Sequence, residues 1–197
     1  MKSKKGTIWM VIGMLLISAA LVLTIYNRWE DSRAKKFSSE VLNQLESEIP
    51  KAQISPLYKL YPDMKMSVKT INGRDYIGVL YVPDLKLKLP VLSKWSYAGL
   101  KIAPCRYSGS VYKKNIIIAG HNFRAHFSRL KTLNIGNKIK FTDMDGNIFW
   151  YRIIDMEVIP GTDVKAMKKK GEWDMTLFTC TYGGKNRMAI RCKWIQQ

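Results

Sequence analysis

The pattern of apolar and polar residues divides the chain into one long apolar run, one amphipathic stretch and many short β-type segments. Residues 8–26 contain no charged side chain. At about 1.5 Å per residue, such a helix can cross the roughly 30 Å hydrocarbon core of a bilayer. Small residues at 18–20 leave a cleavable signal peptide as the alternative. We favour an uncleaved anchor, because the apolar run continues past these small residues. The short basic tail that precedes the run favours an orientation with the N-terminus inside the cell.

An amphipathic helix is predicted over residues 28–49, directly after the anchor. Phe37, Val41 and Leu45 recur every four residues, and a proline ends the pattern. Residues 50–73 have no clear period, which indicates a connecting segment. The expected organisation is a cytoplasmic tail over 1–7, a transmembrane anchor over 8–26, a helix and connecting segment over 27–74, and a folded domain over 75–197.

From residue 75 onward, short apolar runs alternate with turn residues, which predicts an all-β domain. The clearest turns are Asp145-Gly146-Asn147 and Gly183-Gly184. Seven or eight strands of this kind indicate a barrel or a sandwich. The predicted strands cover residues 76–82, 85–92, 115–119, 138–142, 148–159, 175–181 and 187–195.

Composition and charge narrow the class of protein. The 197 residues include 33 Lys and Arg, 15 Asp and Glu, three Cys and two His, which gives a formal net charge of +18. All but three basic residues and all the acidic ones follow the apolar run, so that part carries +15. The sparse, odd number of cysteines excludes a disulfide scaffold, and the lack of a CxxC pair argues against a zinc framework. Outside a cell, this charge suits anionic wall polymers or lipid headgroups rather than nucleic acid, although lysines that merely solubilise the surface are an equally good explanation.

Three residues are candidates for chemistry. His121 follows an apolar strand at a glycine, where a side chain is held rigidly and still reaches solvent, as a general acid or base requires. Cys180 lies near the end of a later strand, and Arg187 begins the next strand across the Gly-Gly turn. A guanidinium beside a thiol could stabilise a thiolate or an oxyanion. Taken singly, each residue has an ordinary explanation as a loop histidine, an inert cysteine or a solvated arginine.

Together, IAGHN at residues 118–122, TLFTC at 176–180 and the arginine that follows resemble the sortase family of Gram-positive cell-surface cysteine transpeptidases. The resemblance covers roughly residues 75–195. It implies an eight-stranded β-barrel behind the N-terminal helix and the transmembrane helix. It further implies a single-pass protein of the cell membrane with an extracellular catalytic domain.

The resemblance also implies roles for individual residues. Cys180 would be the nucleophile, His121 the general acid and base, and Arg187 the ligand of the substrate carbonyl or oxyanion, with Arg191 as the rival arginine. An LPxTG-like sorting signal of a surface protein would be cleaved, and the acyl group would pass through a thioacyl-enzyme to an amine, commonly on a peptidoglycan precursor. No cofactor or metal is implied. The residues expected to bind substrate are Thr176, Leu177 and Thr179.

Several further residues are expected to have structural roles. Cys105 and Cys192 are predicted to be buried and reduced rather than joined in a disulfide. His126 is expected to be structural or to lie at the rim of the cleft. The carboxylates that could bind Ca²⁺ are too scattered along the chain to argue for a site, which leaves modulation by Ca²⁺ open. These carboxylates are Asp143, Asp145, Asp155 and Glu157.

The subclass and the function each leave alternatives. The helix after the anchor resembles class B sortases, while the short stretch 160–175 and residues 103–110 are closer to class D or A. Without a DPW- or DPF-like lid or a second C-terminal span, class C is disfavoured, and a class B-like enzyme is the first choice. The alternative functions are a non-enzymatic basic module that binds the wall or the membrane, and a cysteine peptidase that releases its acyl group to water.

Overall fold

The computed structural model describes residues 4–50, 56–181 and 183–195. The chain forms two compact units, Met1–Arg33 and Ala34–Gln197. In the first unit, helix α1 (Lys4–Glu48) exposes nearly all its large apolar side chains between Ile8 and Tyr26. The helix is long and apolar enough to cross a membrane. The helix predicted over 28–49 is present within α1.

In the second unit, the last part of α1 packs against the outside of a β-sheet. Ala34, Ser38, Val41 and Leu45 are buried, a spacing of three or four residues that keeps them on one helical face. Val41 and Leu45 share an apolar cluster with residues of the first strands. Phe37 was predicted to belong to this stripe but is 40% exposed, because the buried face passes through Ser38 instead.

Nine strands are found among the described residues. Most agree with the predicted strands to within two residues at each end. Two short strands, over residues 69–71 and 105–108, were not predicted. The strands are β1 (Lys69–Ile71), β2 (Arg74–Val82), β3 (Leu87–Leu92), β4 (Cys105–Ser108), β5 (Ile116–Ala119), β6 (Lys138–Asp143), β7 (Ile148–Pro160), β8 (Met175–Cys180) and β9 (Asn186–Ile195).

Eight of these strands form a closed barrel, which confirms the predicted fold. The order is β2-β3-β4-β5-β8-β9-β7-β6, and β2 pairs with β6 to complete the ring. The short β1 adds to the beginning of β2. Closure removes the exposed edges that an open sheet would present, so the barrel is a stable support for a surface site.

The barrel interior contains the main apolar core. Along each strand, side chains point alternately into this core and out of the barrel. On β8, Met175 and Leu177 point into this core, whereas the partly buried Phe178 belongs to a small cluster on the outer face. That outer cluster includes Met167 of α3 (Val164–Lys168), which lies between β7 and β8 in the sequence. Phe178, and with it Cys180 two residues later, therefore faces outward, because side chains alternate along a strand.

Candidate functional site

The β8–β9 hairpin places Cys180 and Arg187 side by side. The antiparallel register runs without a shift from Met175↔Cys192 to Cys180↔Arg187, as the sequence predicted. Gly183 and Gly184 have φ values of +83° and +73°, which glycine adopts without steric cost. Directly paired residues in such a ladder have Cβ atoms about 4.5–5.5 Å apart. The turn therefore brings a guanidinium next to the thiol.

Hydrogen bonds to the turn fix the Arg187 guanidinium. Its Nη1 donates to the carbonyl oxygens of Gly184 at 2.7 Å and Asn186 at 3.0 Å. Gly161, at the end of β7, lies so close that a Cβ there would be 2.6 Å from the Lys185 oxygen and 3.1 Å from Arg187 Nη1. This close approach requires glycine at position 161. With Nη1 held by two carbonyls, the plane of the guanidinium is restricted before any substrate arrives.

The parallel pairing of β5 with β8 places the His121 segment on the other side of Cys180. Ala119 pairs with Phe178, and the Gly120 N–H donates to the Phe178 oxygen at 2.9 Å. β5 ends at Ala119, so His121 lies in the loop that leaves this strand two residues later, beside the end of β8 that carries Cys180. Cys180 therefore lies between Arg187, its partner on β9, and the strand that leads into the His121 loop.

Aromatic packing holds the histidine loop. The His121 ring stacks on Phe123, with centroids 3.7 Å apart and planes 22° from parallel. The Phe127 N–H donates to the His121 oxygen at 3.2 Å. A Cβ at Gly120 would lie 2.2 Å from the Phe127 ring, so the tight passage from β5 into this loop requires glycine.

A groove of about 240 Å³ runs over the outer face beside the thiol. We call it the thiol groove. Cys180 and Arg187 line it, together with Thr179 and the Gly120 backbone, whereas His121 is not among its lining residues. One wall is aromatic, with Tyr107 meeting both Trp95 and Phe178 edge to face. The other wall is formed by the end of β7 and by α3.

The three cysteines, all within the described residues, differ in their access to solvent. Cys105 and Cys192 are buried free thiols, as predicted, and Cys180 is partly exposed. Burial raises the pKa of the Cys105 thiol to about 11 and raises that of Cys192 further. Both remain protonated at neutral pH, so neither can serve as a nucleophile. Of the three, Cys180 is the thiol that a substrate can reach.

The motif residues before Cys180 do not all face the thiol groove. Thr179 lines it, is 5% exposed, and its hydroxyl has no hydrogen-bond partner among the described residues. Leu177 is fully buried in the barrel core, and Thr176 is buried against Arg191. Neither Thr176 nor Leu177 lines the thiol groove. The expectation that these two residues contact substrate does not fit their burial, since each already packs within the protein.

Arg191 has a structural role that the sequence did not reveal. Its side chain is 1% exposed, and its Nε and Nη2 contact Glu157 Oε1 at 2.8 and 2.7 Å. It also donates to the backbone oxygens of Met167 at 3.1 Å and Ala166 at 2.9 Å. Arg191 therefore fastens the end of α3 to the barrel. The sequence contains no signal for this role, because the partners come from segments that are distant along the chain.

His126 is fully buried, and not at the rim of the thiol groove. The Ser38 hydroxyl donates to the Ile102 oxygen at 2.7 Å and lies 3.2 Å from His126 Nε2. Because the single hydroxyl proton is used, the imidazole must donate from Nε2 to Ser38. His126 thus joins its loop to α1.

Carboxylates near the β6–β7 turn come together as part of that turn. Asp143 Oδ1 accepts the N–H groups of Asp145 and Asn147, while Oδ2 accepts the Tyr112 hydroxyl at 2.8 Å. Burial raises the pKa of Asp143. Glu157, in contrast, pairs with Arg191 on another part of the barrel. No three His, Cys, Asp or Glu side chains within residues 4–50, 56–181 and 183–195 are grouped as a metal site would need.

Comparisons with known proteins agree with this architecture. A family model described as the sortase domain matches residues 80–195, more than half of the chain. The structure is similar to a Clostridium perfringens sortase D5 transpeptidase, with a TM-score of 0.63 and 21% identity over 82% of this chain and 99% of that one. It is also similar to sortase A from Corynebacterium diphtheriae, with a TM-score of 0.58 and 18% identity over 87% of this chain and 85% of that one.

A third structure, sortase A of Listeria monocytogenes, has a TM-score of 0.55 and 23% identity over 61% of this chain and 88% of that one. At these identities the three structures establish the fold and leave the class open, so the class B-like assignment stays a prediction. No curated protein sequence matches the chain.

Proposed function

Because this chain belongs to the sortase family of cysteine transpeptidases, we propose that it cleaves a sorting signal and joins the new carboxyl end to an amine, with Cys180 as the nucleophile. His121 acts as general acid and base, and Arg187 binds the oxygen on which negative charge develops. The observation that carries these roles is the position of Cys180. It is the cysteine of the three that reaches solvent, and it lies between the strand of Arg187 and the strand that leads to His121.

In the first half of the reaction, the Cys180 thiol proton passes to His121, and the thiolate attacks the carbonyl carbon of the scissile peptide bond. The carbonyl π bond opens, and the oxygen takes the electron pair as an oxyanion beside the Arg187 guanidinium. The carbonyl then re-forms and the C–N bond breaks. The leaving amine takes a proton from His121, and a thioester remains on Cys180.

In the second half, an acceptor amine attacks the thioester carbonyl and gives up a proton to His121. The C–S bond breaks and the thiolate leaves with the electron pair, so a new amide forms and the enzyme is restored. A thiolate is suited to both halves, since it attacks well and also leaves well. Water as the acceptor would give hydrolysis by the same steps.

The thiol groove supports an extended peptide as the substrate. Its aromatic wall, built from Trp95, Tyr107 and Phe178, offers contact to apolar side chains of a peptide. We propose an LPxTG-like signal at the C-terminus of a surface protein as the donor. A peptidoglycan precursor or another wall amine is the proposed acceptor.

We further propose that residues 8–26 anchor the enzyme in the cell membrane, with the barrel outside. The exposed apolar surface of this segment supports the anchor. A Gram-positive cell surface would then bring the barrel to both substrates. The class B-like assignment belongs to this proposal as well.

Product analysis tests the proposed reaction. The full chain in neutral detergent is incubated with a panel of LPxTG-like and NPxTx-like peptides, with and without an amine acceptor, and the products are identified by mass. We expect cleavage of one motif class and a new amide only when the amine is present. Water adducts alone, even at high amine concentration, would indicate a peptidase, and lack of cleavage of any peptide would contradict the proposed donor.

A further inference from the structure

A second depression lies at the opposite end of the strand pair that leads to the candidate catalytic residues. His121 follows the C-terminal end of β5 and Cys180 is the last residue of β8, whereas residues 113–115 and 168–174 precede the N-terminal ends of the same strands. The pairing of Ile116 with Met175 brings these two segments together. At about 3.3 Å per residue, Met175 and Cys180 are roughly 17 Å apart, so the two depressions are separate.

This depression is a cleft of about 240 Å³ with lysines on both walls. We call it the basic cleft. Lys113 and Lys114 line one wall, and Lys168, Lys169 and Lys170 line the other. All five lie on the surface. Since no acidic residue stands within either run, like charges are held close together around one concave space, at a cost in repulsion that an anion would relieve.

Existing partners neutralise only part of this charge. Lys113 pairs with Asp63 at 2.6 Å, and Lys114 lies over the Trp194 ring at 4.5 Å. The Lys168 ammonium lies 5.4 Å from the centre of the Tyr107 ring, on the side of the thiol groove. Lys169 and Lys170 have no ion pair among the described residues. The two runs therefore keep more positive charge than their neighbours balance.

The acidic residue that lines the cleft already has partners for its negative charge. Asp174 lines the cleft, but its Oδ2 accepts the Trp194 N–H at 2.8 Å and lies 3.6 Å from Lys193 Nζ. Its charge is thus directed toward the barrel and away from the lysine runs, so it does not oppose an incoming anion as an unpaired carboxylate would.

The segment that carries Lys168, Lys169 and Lys170 packs on an aromatic side chain. Trp173 lines the cleft and stacks on the Arg191 guanidinium, 4.6 Å from the ring centroid. Gly171 fits so closely on the indole that a Cβ there would lie 2.2 Å from the ring. The loop that presents Lys168–Lys170 is therefore packed onto a fixed aromatic surface.

We propose that the basic cleft binds a diphosphate group. Lysine ammonium groups are effective phosphate ligands, and a compact ligand with several negative charges can contact both walls at once. A bilayer surface fits less well, because a concave cleft cannot lie flat against headgroups. α3 separates the two depressions: Met167 lines the thiol groove and Lys168 lines the basic cleft. A bound diphosphate would therefore contact the same short helix that forms a wall of the thiol groove.

Calorimetric titration of the full chain in neutral detergent tests the proposal, with inorganic pyrophosphate and inorganic phosphate as separate probes. The variant is K169E together with K170E. The matched control is K131E with K138E, which changes the net charge equally at exposed lysines outside the cleft. We expect the parent chain and the control to bind pyrophosphate more tightly than phosphate. The cleft variant should bind pyrophosphate roughly tenfold or more weakly, since it loses two charge-assisted contacts.

A further arm separates the sources of the diphosphate. Farnesyl diphosphate in the same micelles should bind more tightly than pyrophosphate if the natural ligand is lipid-linked, and equally if the ligand is a free diphosphate; in both cases the cleft variant should lose the binding. Equal weakening in the cleft variant and the control would show general attraction to a basic protein and overturn the proposal. No pyrophosphate binding by the parent chain at millimolar concentration would overturn it as well.

Discussion

Replacing Arg187 with lysine separates the geometry of the guanidinium from its charge. Arg187 has one nitrogen held by two turn carbonyls, at 2.7 and 3.0 Å, beside the strand partner Cys180. A guanidinium has five N–H donors in a plane, so it can keep these bonds and still present donors to an oxyanion. A lysine ammonium is a single charged point on a flexible stem. It cannot donate hydrogen bonds to both carbonyls and to the oxyanion in the same fixed geometry.

The expected loss follows from the removal of an oriented oxyanion donor. Such a loss typically lowers kcat by about 10²–10³, which corresponds to about 2.7–4 kcal/mol of transition-state stabilisation. The folded state should change little, because both turn carbonyls are exposed and water can replace the bonds. We therefore expect R187K to lose activity on that scale and to keep the melting temperature of the parent chain.

R191K is the matched control, four residues along the same strand. It removes most of the buried contacts to Glu157 and to the α3 carbonyls. Arg191 is buried whereas Glu157 is 40% exposed, and lysine retains the charge, so we expect about 3 kcal/mol, the lower end of the roughly 3–5 kcal/mol that breaking a fully buried pair costs. For a chain of this size, that lowers the melting temperature by roughly 6–12 °C. Well below that temperature, R191K should lose less than tenfold in kcat/KM.

Peptide cleavage kinetics and thermal melts of the full chain in detergent distinguish these outcomes. We expect an inactive but stable R187K and a less stable R191K that keeps most activity. A crippled R191K beside a nearly normal R187K, both measured while folded, would refute the assignment of Arg187.

Three further changes test other parts of the structure. G120A should lower the melting temperature and the activity together, because the added Cβ would lie 2.2 Å from the Phe127 ring. Overpacking of this kind costs about 1–3 kcal/mol. An unchanged melting temperature would contradict the claim that this position requires glycine. H126A should destabilise the protein by about 1–3 kcal/mol through its lost buried hydrogen bond, yet leave kcat nearly unchanged at low temperature, unlike H121A; equal loss of kcat would be inconsistent with the separate roles. Burial raises the pKa of the Cys105 thiol in the folded protein to about 11, so in the unfolded chain this thiol ionises at a lower pH. The free energy of unfolding measured with denaturant should therefore fall as the pH rises from about 9 to 11. C105A should show a shallower fall.

The sequence predicted those parts of the fold that depend on local pattern. β2, β3 and β5–β9 have alternating or fully apolar runs between turn residues, and the structure contains each of them. β4 was missed because it has four residues, a register shift next to β5 and a single paired position on β3. β1 was missed because three residues within a proline-containing segment carry no period.

In the candidate site, too, only the features that depend on local pattern were predictable. Cys180 and Arg187 were predictable as neighbours, because a two-strand hairpin with a Gly-Gly turn determines their register locally. The buried contacts of Arg191 and the assembly of the basic cleft were not, since they depend on which strands lie together in the closed barrel. Two lysine runs more than fifty residues apart meet only through the parallel pairing of β5 and β8.

Mass spectrometry of the trapped acyl-enzyme tests the central claim most directly. The full chain is mixed with a cleavable sorting peptide in the absence of an amine, quenched in acid within the first turnover and digested. We predict an added acyl mass on the fragment that contains Cys180 and the loss of this mass when an amine is supplied. C180A should show no turnover and an unchanged melting temperature. An acyl mass on another residue, or peptide cleavage by folded C180A, would contradict the central claim.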